Sequence, residues 1–327
     1  MNLVYHRFWY RVGIVVALSL IPSAGLVAVR AQTQPDMRVT LLGTGTPTPI
    51  IDRFGPSTLI EAGSEKLVFD CGRGCPIRLQ QKGVRLGEVK LFVTHLHSDH
   101  VNGIVDLWLT GWLPPPCCRR TTPFVMIGPE GTKNMAAHLE EAFMPDIRIR
   151  MADEKLPREG VRIDAKDITP GIVYEANGVK VTAFEVDHGD EIRPAYGYRI
   201  DYRGRSVVLS GDTRFSQNVI KFATGADLLV HEVSTAKPEV AQTEAAKRIL
   251  AHHTSPQEAG RVFSTAKPRL AVYAHISAAG GAGPTAPQPA EYITATRDTY
   301  NGPLEFGEDL MTINIGDAVT VERPAKK

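Results

Sequence analysis

The sequence has few cysteines, a nearly balanced charge and only one long apolar run. Four cysteines in 327 residues exclude a scaffold that depends on a dense set of disulfides. They are Cys71, Cys75, Cys117 and Cys118, in the segments CGRGC and PPPCCRR. This spacing lacks the usual two-plus-two zinc pattern, so we expect a disulfide or free thiols rather than a metal cluster.

The charge shows no basic excess, with 37 basic and 36 acidic residues and a formal net charge of +1. A protein without a basic surface gains little counterion-release energy from contact with phosphates. The composition therefore disfavours a nucleic-acid partner. The length of the chain is enough for one large domain.

The long apolar run lies in residues 1–31, after Arg7 and Arg11, and ends in small residues up to Ala31. This order is typical of an export signal. We therefore expect cleavage after Ala31 and a periplasmic or secreted protein. Loss of the three arginines in this segment would lower the net charge from +1 to −2.

An uncleaved membrane anchor is the alternative interpretation of this segment. Pro22 and Gly25 interrupt its apolar run, and such a run makes a poor spanning helix. We therefore expect no stable anchor once the signal has been removed. Residues 32–327 contain no repeat or linker that would divide them, which predicts a single domain.

Several predicted strands are followed by polar or titratable side chains. VKLFVTH runs directly into the loop HSDH and then into a helical stretch. The strands that follow end at His188, Asp212 and His231, and a last core strand ends at His275. Strand ends of this kind can meet at one edge of a sheet, where loops hold ligands.

The segment THLHSDH places His95, His97, Asp99 and His100 on one peptide. Imidazole nitrogens and carboxylate oxygens are the ligands that zinc takes in catalytic sites. The alternative is an ordinary solvated loop, which would be preferred for a lone histidine. Three histidines and an aspartate directly after an apolar strand favour a metal site.

THLHSDH resembles the HxHxDH signature of the metallo-β-lactamase superfamily. The resemblance continues in order through LLGTGTPTP, FDCGRG, VDHG, SGDT, HHTSPQEAG and YAHIS. It is strongest to the ribonuclease Z and arylsulfatase-like branch. It implies an α/β (α+β) fold, a four-layer αβ/βα sandwich with the site along one edge of the sheets, so that residues 32–327 would be one hydrolase domain.

The resemblance implies a pair of metal ions, most simply two Zn²⁺, with Mn²⁺ or Fe²⁺ as alternatives. It implies that the first metal is bound by His95, His97 and His188. The second would be bound by Asp99, His100 and His275, and Asp212 would bridge the two. Familiar zinc β-lactamases have cysteine at the bridging position. The aspartate therefore disfavours penicillin hydrolysis and favours a bridged pair.

Two further residues match family positions beside the metals. Asp70, at the end of KLVFD, matches an aspartate that orients a ligand, and its alternative is a strand-end turn former. His231, in LLVHEV, matches a histidine near the site that is not usually a ligand. We expect it to support the ligands from outside or to be structural.

The resemblance implies attack by a metal-bridging hydroxide on phosphorus, sulfur or an acyl carbon. Asp99 would steer the proton of the attacking water while remaining a ligand. The leaving group needs a proton from a general acid, and His252 or His253 in HHTSPQEAG matches the histidine proposed for that role. Spacing to His275 favours His253, whereas the H-x-T pattern favours His252. A helix-capping loop is the structural alternative for both.

We therefore expect an exported dinuclear zinc hydrolase that cleaves a small phosphodiester or sulfate ester. The alternatives are a ribonuclease Z-like tRNA 3′-processing endonuclease, a lactone or thioester hydrolase, and a non-catalytic metal-binding protein. Two observations argue against the ribonuclease. An exported protein would not meet precursor tRNA, and the 23 residues from Gly189 to Gly211 are too few for a long tRNA-binding arm. The sequence is compatible with an oligomer.

Overall fold

The computed structural model describes residues 35–115, 118–280 and 286–325. The predicted export signal in residues 1–31 lies outside them. Within the described residues the strands are, in chain order, β1 (Met37–Gly43), β2 (Ser57–Ala62), β3 (Glu65–Phe69), β4 (Lys90–Phe92), β5 (Phe124–Gly128), β6 (Ile163–Asp167), β7 (Gly171–Ala176), β8 (Val179–Glu185), β9 (Tyr196–Tyr202), β10 (Arg205–Leu209), β11 (Leu228–Thr235), β12 (Leu270–Ala278), β13 (Leu304–Phe306), β14 (Thr312–Ile315) and β15 (Val319–Glu322).

The helices begin and end near the glycines and prolines of the sequence, which punctuate regular structure. In chain order they are α1 (Cys75–Gln81), α2 (Ser98–Val101), α3 (Ile104–Trp112), α4 (Thr132–Ala142), α5 (Met144–Asp153), α6 (Arg158–Val161), α7 (Gln217–Ala223), α8 (Pro238–Ala241), α9 (Glu244–Leu250), α10 (Pro256–Ala266) and α11 (Pro289–Arg297). No helix of the described residues is long and apolar enough to cross a bilayer.

The strands form two mixed sheets. The first has the order β15-β14-β1-β2-β3-β4-β5-β6, and the second has the order β13-β12-β11-β10-β9-β8-β7. In each sheet, antiparallel hairpins are followed by parallel strands. Parallel strands need crossover connections, and α3, α7 and α10 lie in such connections.

Three apolar clusters order these elements into layers. One cluster combines side chains of both sheets, such as Val39, Phe69 and Tyr198, and fills the space between them. A second packs α1 and α3 on the outer face of the first sheet, and a third packs α7, α10 and α11 on the second sheet. The layers are therefore helix, sheet, sheet, helix, which confirms the αβ/βα sandwich.

The start of α10 is defined by local sequence chemistry. Ser255 accepts a hydrogen bond from the backbone N–H of Glu258, whose side chain accepts one from the backbone N–H of Ser255. Pro256 follows at the first helical position, where its missing N–H costs nothing. This capping box fixes the start of the helix directly after the segment that contains His252 and His253.

Candidate metal centre

The turn that carries the metal-binding signature is held by Asp70. Its carboxylate accepts hydrogen bonds from the Thr94 backbone N–H at 2.8 Å and from Thr94 Oγ1 at 2.8 Å. Asp70 has a positive φ of 57°, a conformation that aspartate tolerates better than most residues. The chain then passes His95 and His97 and enters α2 at Ser98, which gives the predicted strand-to-helix turn.

The structure brings His95, His97 and His188 together. His97 Nδ1 lies 3.0 Å from His95 Nε2 and 3.3 Å from His188 Nε2. Three ring nitrogens thus point at one position. This is the group of side chains expected to bind the first metal.

The residues expected at the second metal also meet. Asp99 Oδ2 lies 3.3 Å from His275 Nε2 and 3.7 Å from His100 Nε2. All three side chains are buried. Since they are separated by up to 176 positions in the sequence, only the paired sheets bring them to one place.

Asp212 lies between these two groups. Its Oδ2 atom is 4.0 Å from His95 Nε2 and 3.7 Å from His188 Nε2 on one side. On the other side it is 3.4 Å from His100 Nε2 and 3.3 Å from His275 Nε2. A single carboxylate oxygen therefore faces the nitrogens of both groups, as the predicted bridging role requires.

Hydrogen bonds orient the outer nitrogen of three of the histidines. His95 Nδ1 donates to Thr94 Oγ1 at 3.0 Å, and His188 Nδ1 donates to the backbone carbonyl of His252 at 2.9 Å. His100 Nδ1 donates to Asp70 Oδ2 at 2.8 Å. Each bond leaves Nε2 pointing at the cluster, which is how ligand histidines are held.

Burial keeps the first histidine group uncharged. It lowers the pKa of His95 well below its usual range and, against the nearby Asp212 charge, lowers the pKa of His188 to about 4. Partial burial also lowers the pKa of the more exposed His97. Neutral imidazole is the form that binds metal, so these side chains could bind a metal ion at neutral pH.

Negative charge lies beside the second group, on the buried carboxylate of Asp212. Burial alone would lower the pKa of His100, but the carboxylates of Asp212 and Asp70 raise it well above its usual range. Burial alone would raise the pKa of Asp212, but His275 and His100 lower it well below its usual range. Buried carboxylates of this kind need a compensating positive charge.

The donor set fits a pair of divalent cations. The Nδ1 atom of His97 lies within 3.3 Å of the Nε2 atoms of His95 and His188, and His100 Nε2 is buried with no hydrogen-bond partner. Cations between these atoms would satisfy the unpartnered nitrogen. None of the candidate metal-binding groups in the described residues includes a cysteine.

His275 lies inside β12 rather than after it. The register between β11 and β12 shifts past His231, and His275 has a positive φ of 44°. A bulge of this kind re-aims a side chain, and it turns the imidazole toward Asp99 and Asp212. The expectation that His231 and His275 end their strands was therefore wrong, because both strands continue for several residues beyond them.

Glu232 is a site residue that the sequence analysis missed. Its carboxylate lies 3.2 Å from His253 Nδ1 and accepts a hydrogen bond from the Thr254 backbone N–H at 2.7 Å. Although burial opposes this, Glu232 raises the pKa of His253 to about 9. Its position after His231 in a continuously buried strand gave no sign of a functional carboxylate.

His253 and His252 have different environments. The His253 ring lies 5.1 Å from the His188 ring and 5.6 Å from the His275 ring, between centroids. His252 lies 6.1 Å from His188, and burial together with Arg214 lowers its pKa. Its backbone carbonyl, not its side chain, accepts the hydrogen bond from His188. Of the two, His253 is the one in the cluster.

His231 and the cysteines lie outside the metal-binding groups. His231 is fully buried on β11, with Nδ1 donating to the Glu232 carbonyl and the ring against Phe263. Cys71 and Cys75 are free and buried, whereas Cys118 is disulfide-bonded.

An open cleft reaches the first histidine group from solvent. It has a volume of about 200 Å³. Its walls mix apolar and charged side chains, namely His95, Leu96, His97, Pro129, Glu130, Glu191, Ile192, Arg193 and Pro194. A substrate can therefore reach the cluster from the side on which His97 is exposed.

Comparisons with known proteins agree with this geometry. A family model described as the β-lactamase superfamily domain matches residues 66–276. Ribonuclease Z of Mycobacterium avium is 34% identical over 287 residues, covering 85% of this chain and 98% of that protein. Ribonuclease Z of Mycobacterium marinum is 33% identical over 285 residues, with 85% and 99% covered.

Solved structures show the same fold. Human tRNase Z, short form, superimposes with a TM-score of 0.63 at 21% identity, covering 85% of this chain and 99% of that one. The metallo-β-lactamase fold protein YhfI of Bacillus subtilis gives a TM-score of 0.66 at 18% identity, with 84% and 98% covered. The chain therefore belongs to the metallo-β-lactamase superfamily, in its ribonuclease Z-like branch, and is a metal-dependent hydrolase of ester bonds.

Proposed function

We propose that the chain is a two-metal phosphodiesterase that cleaves RNA, as an endonuclease of the ribonuclease Z type. The observation that carries this proposal is the nearly end-to-end match to curated proteins of that name, 98% of the Mycobacterium avium protein. The short segment from Gly189 to Gly211 does not weigh against this proposal. The chain aligns with nearly the whole length of these ribonucleases, which leaves no room for a long additional arm in them.

The side chains of the cluster support phosphodiester hydrolysis. We propose that His95, His97 and His188 hold one ion and that Asp99, His100 and His275 hold the other, with Asp212 shared. Two such ions, most simply zinc, would supply a nucleophile at neutral pH and polarise a phosphoryl oxygen. Asp99 lies where its carboxylate can also accept the proton of the attacking water.

The leaving group needs a proton, and His253 is placed to give it. Its ring nitrogen, the Asp212 carboxylate and the His188 ring nitrogen all lie within 4.8 Å of one another. Glu232 holds His253 in its protonated form at neutral pH. A protonated imidazole beside the reacting group is a general acid, so we propose His253 rather than His252 for this step.

An exported hydrolase of small phosphodiesters or sulfate esters is the second candidate. It is favoured by the signal-like residues 1–31, because an exported protein would not meet precursor tRNA. The balanced charge also favours a small ester, whereas the identity to named ribonucleases favours RNA.

One assay separates these candidates. Metal-loaded protein is incubated with a precursor tRNA that carries a 3′ trailer, with bis-p-nitrophenyl phosphate and with p-nitrophenyl sulfate. Cleavage of the RNA at a single position near the 3′ end supports the ribonuclease. Turnover of the small esters with intact RNA supports the second candidate and rejects the first.

Two controls accompany the assay. Asp212→Ala should lose both bound metal and all activities, because it removes the shared ligand. Full activity of this variant with one ion or none would reject the bridging role. Cell fractionation and N-terminal sequencing test export separately, since a mature chain beginning at Gln32 is expected only for a processed protein.

A further inference from the structure

A small cavity lies behind the candidate metal centre. It has a volume of about 50 Å³ and is lined by side chains from both sheets. Four of its lining residues are Ser57, Asp212, His231 and His275, each less than one-tenth exposed. The cavity therefore joins the bridging carboxylate and one metal-binding histidine to two residues that have no part in the proposed reaction.

Each of these four residues has a buried polar atom without a hydrogen-bond partner. Within the described residues these atoms are Ser57 Oγ, Asp212 Oδ1, His231 Nε2 and His275 Nδ1. An unpaired buried polar atom is costly, so native proteins pair nearly all of them with protein or with ordered water. A fifth lining residue, His100, also has an unpartnered atom, but this Nε2 faces Asp99 and Asp212 in the metal-binding cluster. The other four atoms belong to residues that line one cavity, which points to a common partner.

His275 differs from the other buried histidines of the cluster. The outer nitrogens of His95, His100 and His188 donate to Thr94, Asp70 and the His252 carbonyl. No described protein atom accepts a hydrogen bond from His275 Nδ1. A metal-binding histidine almost always donates its second N–H to a carboxylate, a carbonyl or water, so water is the partner left for His275.

The hydrogen-bonding capacity of the four atoms matches that of water. With Nε2 facing the metals, His275 Nδ1 is a donor, and the Ser57 hydroxyl can donate as well. His231 Nδ1 donates to the Glu232 carbonyl, which makes Nε2 an acceptor in the neutral ring, and Asp212 Oδ1 is also an acceptor. Two donors and two acceptors are what a water molecule can satisfy.

We propose that this cavity binds water and that Ser57 and His231 are positioning residues of the metal centre. The volume holds on the order of one to three molecules. The bound water accepts from His275 Nδ1, fixes the ring with Nε2 toward the metals, and donates to His231 Nε2 and Asp212 Oδ1. This inference rests on the proposed metal centre.

A matched pair of serines tests the proposal. Ser57→Ala removes a hydroxyl from the cavity wall, whereas Ser234→Ala removes an equally buried, unpartnered hydroxyl that does not line the cavity. The affinity of the full chain for each of the two zinc ions is measured by competition with a chromophoric chelator. We expect Ser57→Ala to weaken zinc binding ~10–100-fold, and Ser234→Ala to leave it unchanged.

Two further variants separate hydration from packing. Ser57→Thr keeps the hydroxyl and should bind zinc nearly as well as the parent. His231→Asn should weaken zinc binding as Ser57→Ala does, while the melting temperature of the metal-free protein reports any loss of folding. The absorption spectrum of bound cobalt(II) reports the ligand geometry. It should therefore change in Ser57→Ala and His231→Asn, and remain close to that of the parent in Ser57→Thr and Ser234→Ala.

The outcomes distinguish this inference from the proposed function. A parent that binds no metal would overturn the metal centre and, with it, the inference. A parent with two bound ions, together with Ser57→Ala and His231→Asn variants of unchanged zinc affinity, would overturn the inference alone. A high-resolution crystal structure should place a water oxygen within hydrogen-bond distance of His275 Nδ1, and a dry cavity would also reject it.

Discussion

The Glu232 carboxylate lies 3.2 Å from His253 Nδ1 and binds the Thr254 backbone N–H through its other oxygen. One buried side chain thus fixes both the charge and the position of the proposed general acid. Ser210 Oγ in turn accepts a hydrogen bond from the Glu232 backbone N–H. The proton donor is therefore anchored to the second sheet, next to the strand that leads to Asp212.

Glu232→Gln should move the alkaline limb of the pH–rate profile. Glu232 raises the pKa of His253 to about 9, so the parent keeps its acid protonated up to that pH and loses activity above it. Removing an opposite charge at this distance lowers a pKa by roughly 1–3 units. The pH at which kcat falls on the alkaline side should therefore be lower by that amount, measured with the substrate that the protein hydrolyses.

Glu185→Gln is the control for this shift, because Glu185 is an exposed carboxylate at the end of β8. Its profile should overlay that of the parent. An alkaline limb that stayed in place in Glu232→Gln, with activity otherwise retained, would contradict the role of the pair.

His253→Ala and His252→Ala should differ in rate but not in metal content. Loss of a general acid lowers kcat by roughly 10²–10⁴-fold, and we expect this for His253→Ala. His252 accepts the hydrogen bond of His188 through its backbone carbonyl, which alanine preserves, so His252→Ala should stay within about tenfold of the parent. Steady-state kinetics with metal analysis of both variants checks this, and the reverse order would assign the role to His252.

The sequence predicted the contiguous part of the site better than the rest. THLHSDH is readable because four side chains of metal-binding type follow one apolar strand. Glu232 was missed because a single carboxylate in a strand of otherwise buried residues has no local signature. The choice between His252 and His253 depended on Glu232, so it too needed the fold.

The position of His275 shows a second limit. The sequence predicted a core strand that stops at this residue, whereas β12 continues to Ala278. The bulge that turns the imidazole toward Asp212 arises from pairing with β11. A register shift between two strands depends on long-range contacts, which no single segment encodes.

Glu65→Ala should weaken the contact between the two sheets. The buried Glu65 carboxylate on β3 binds Lys90 Nζ at 2.7 Å, Tyr174 OH at 2.7 Å and Asn177 Nδ2 at 2.6 Å. The last two partners belong to β7 and the turn after it, so the carboxylate connects both sheets. Because hydrogen bonds to charged groups are strong, we expect a loss of roughly 2–3 kcal/mol in the free energy of unfolding.

Urea unfolding of Glu65→Ala checks this value, with Glu61→Ala as control. Glu61 forms a partly exposed ion pair with Arg38 at 3.9 Å, which predicts a change within about 1 kcal/mol. Despite burial, the bonds from Lys90 and its neighbours lower the pKa of Glu65. The contribution of Glu65 to the free energy of unfolding is therefore complete above the ordinary carboxyl pKa of about 4.3. It is lost as the pH falls through the lowered pKa of the folded state. The difference in stability between Glu65→Ala and the parent should therefore shrink in acid.

Asp70→Asn should weaken metal binding while leaving the fold intact. The carboxylate accepts from the Thr94 backbone N–H, from Thr94 Oγ1 and from His100 Nδ1, and an amide has only one oxygen for these donors. Asparagine tolerates the left-handed backbone of Asp70, so the turn itself should persist.

The expected loss in zinc affinity is ~10–100-fold, the usual effect of removing the outer partner of a ligand histidine. Asp106→Asn is the control, because Asp106 accepts a hydrogen bond from Thr110 on the exposed side of α3 and should leave zinc affinity unchanged. Asp70→Asn with the zinc affinity of the parent would contradict the proposed role of the Asp70 carboxylate in orienting His100.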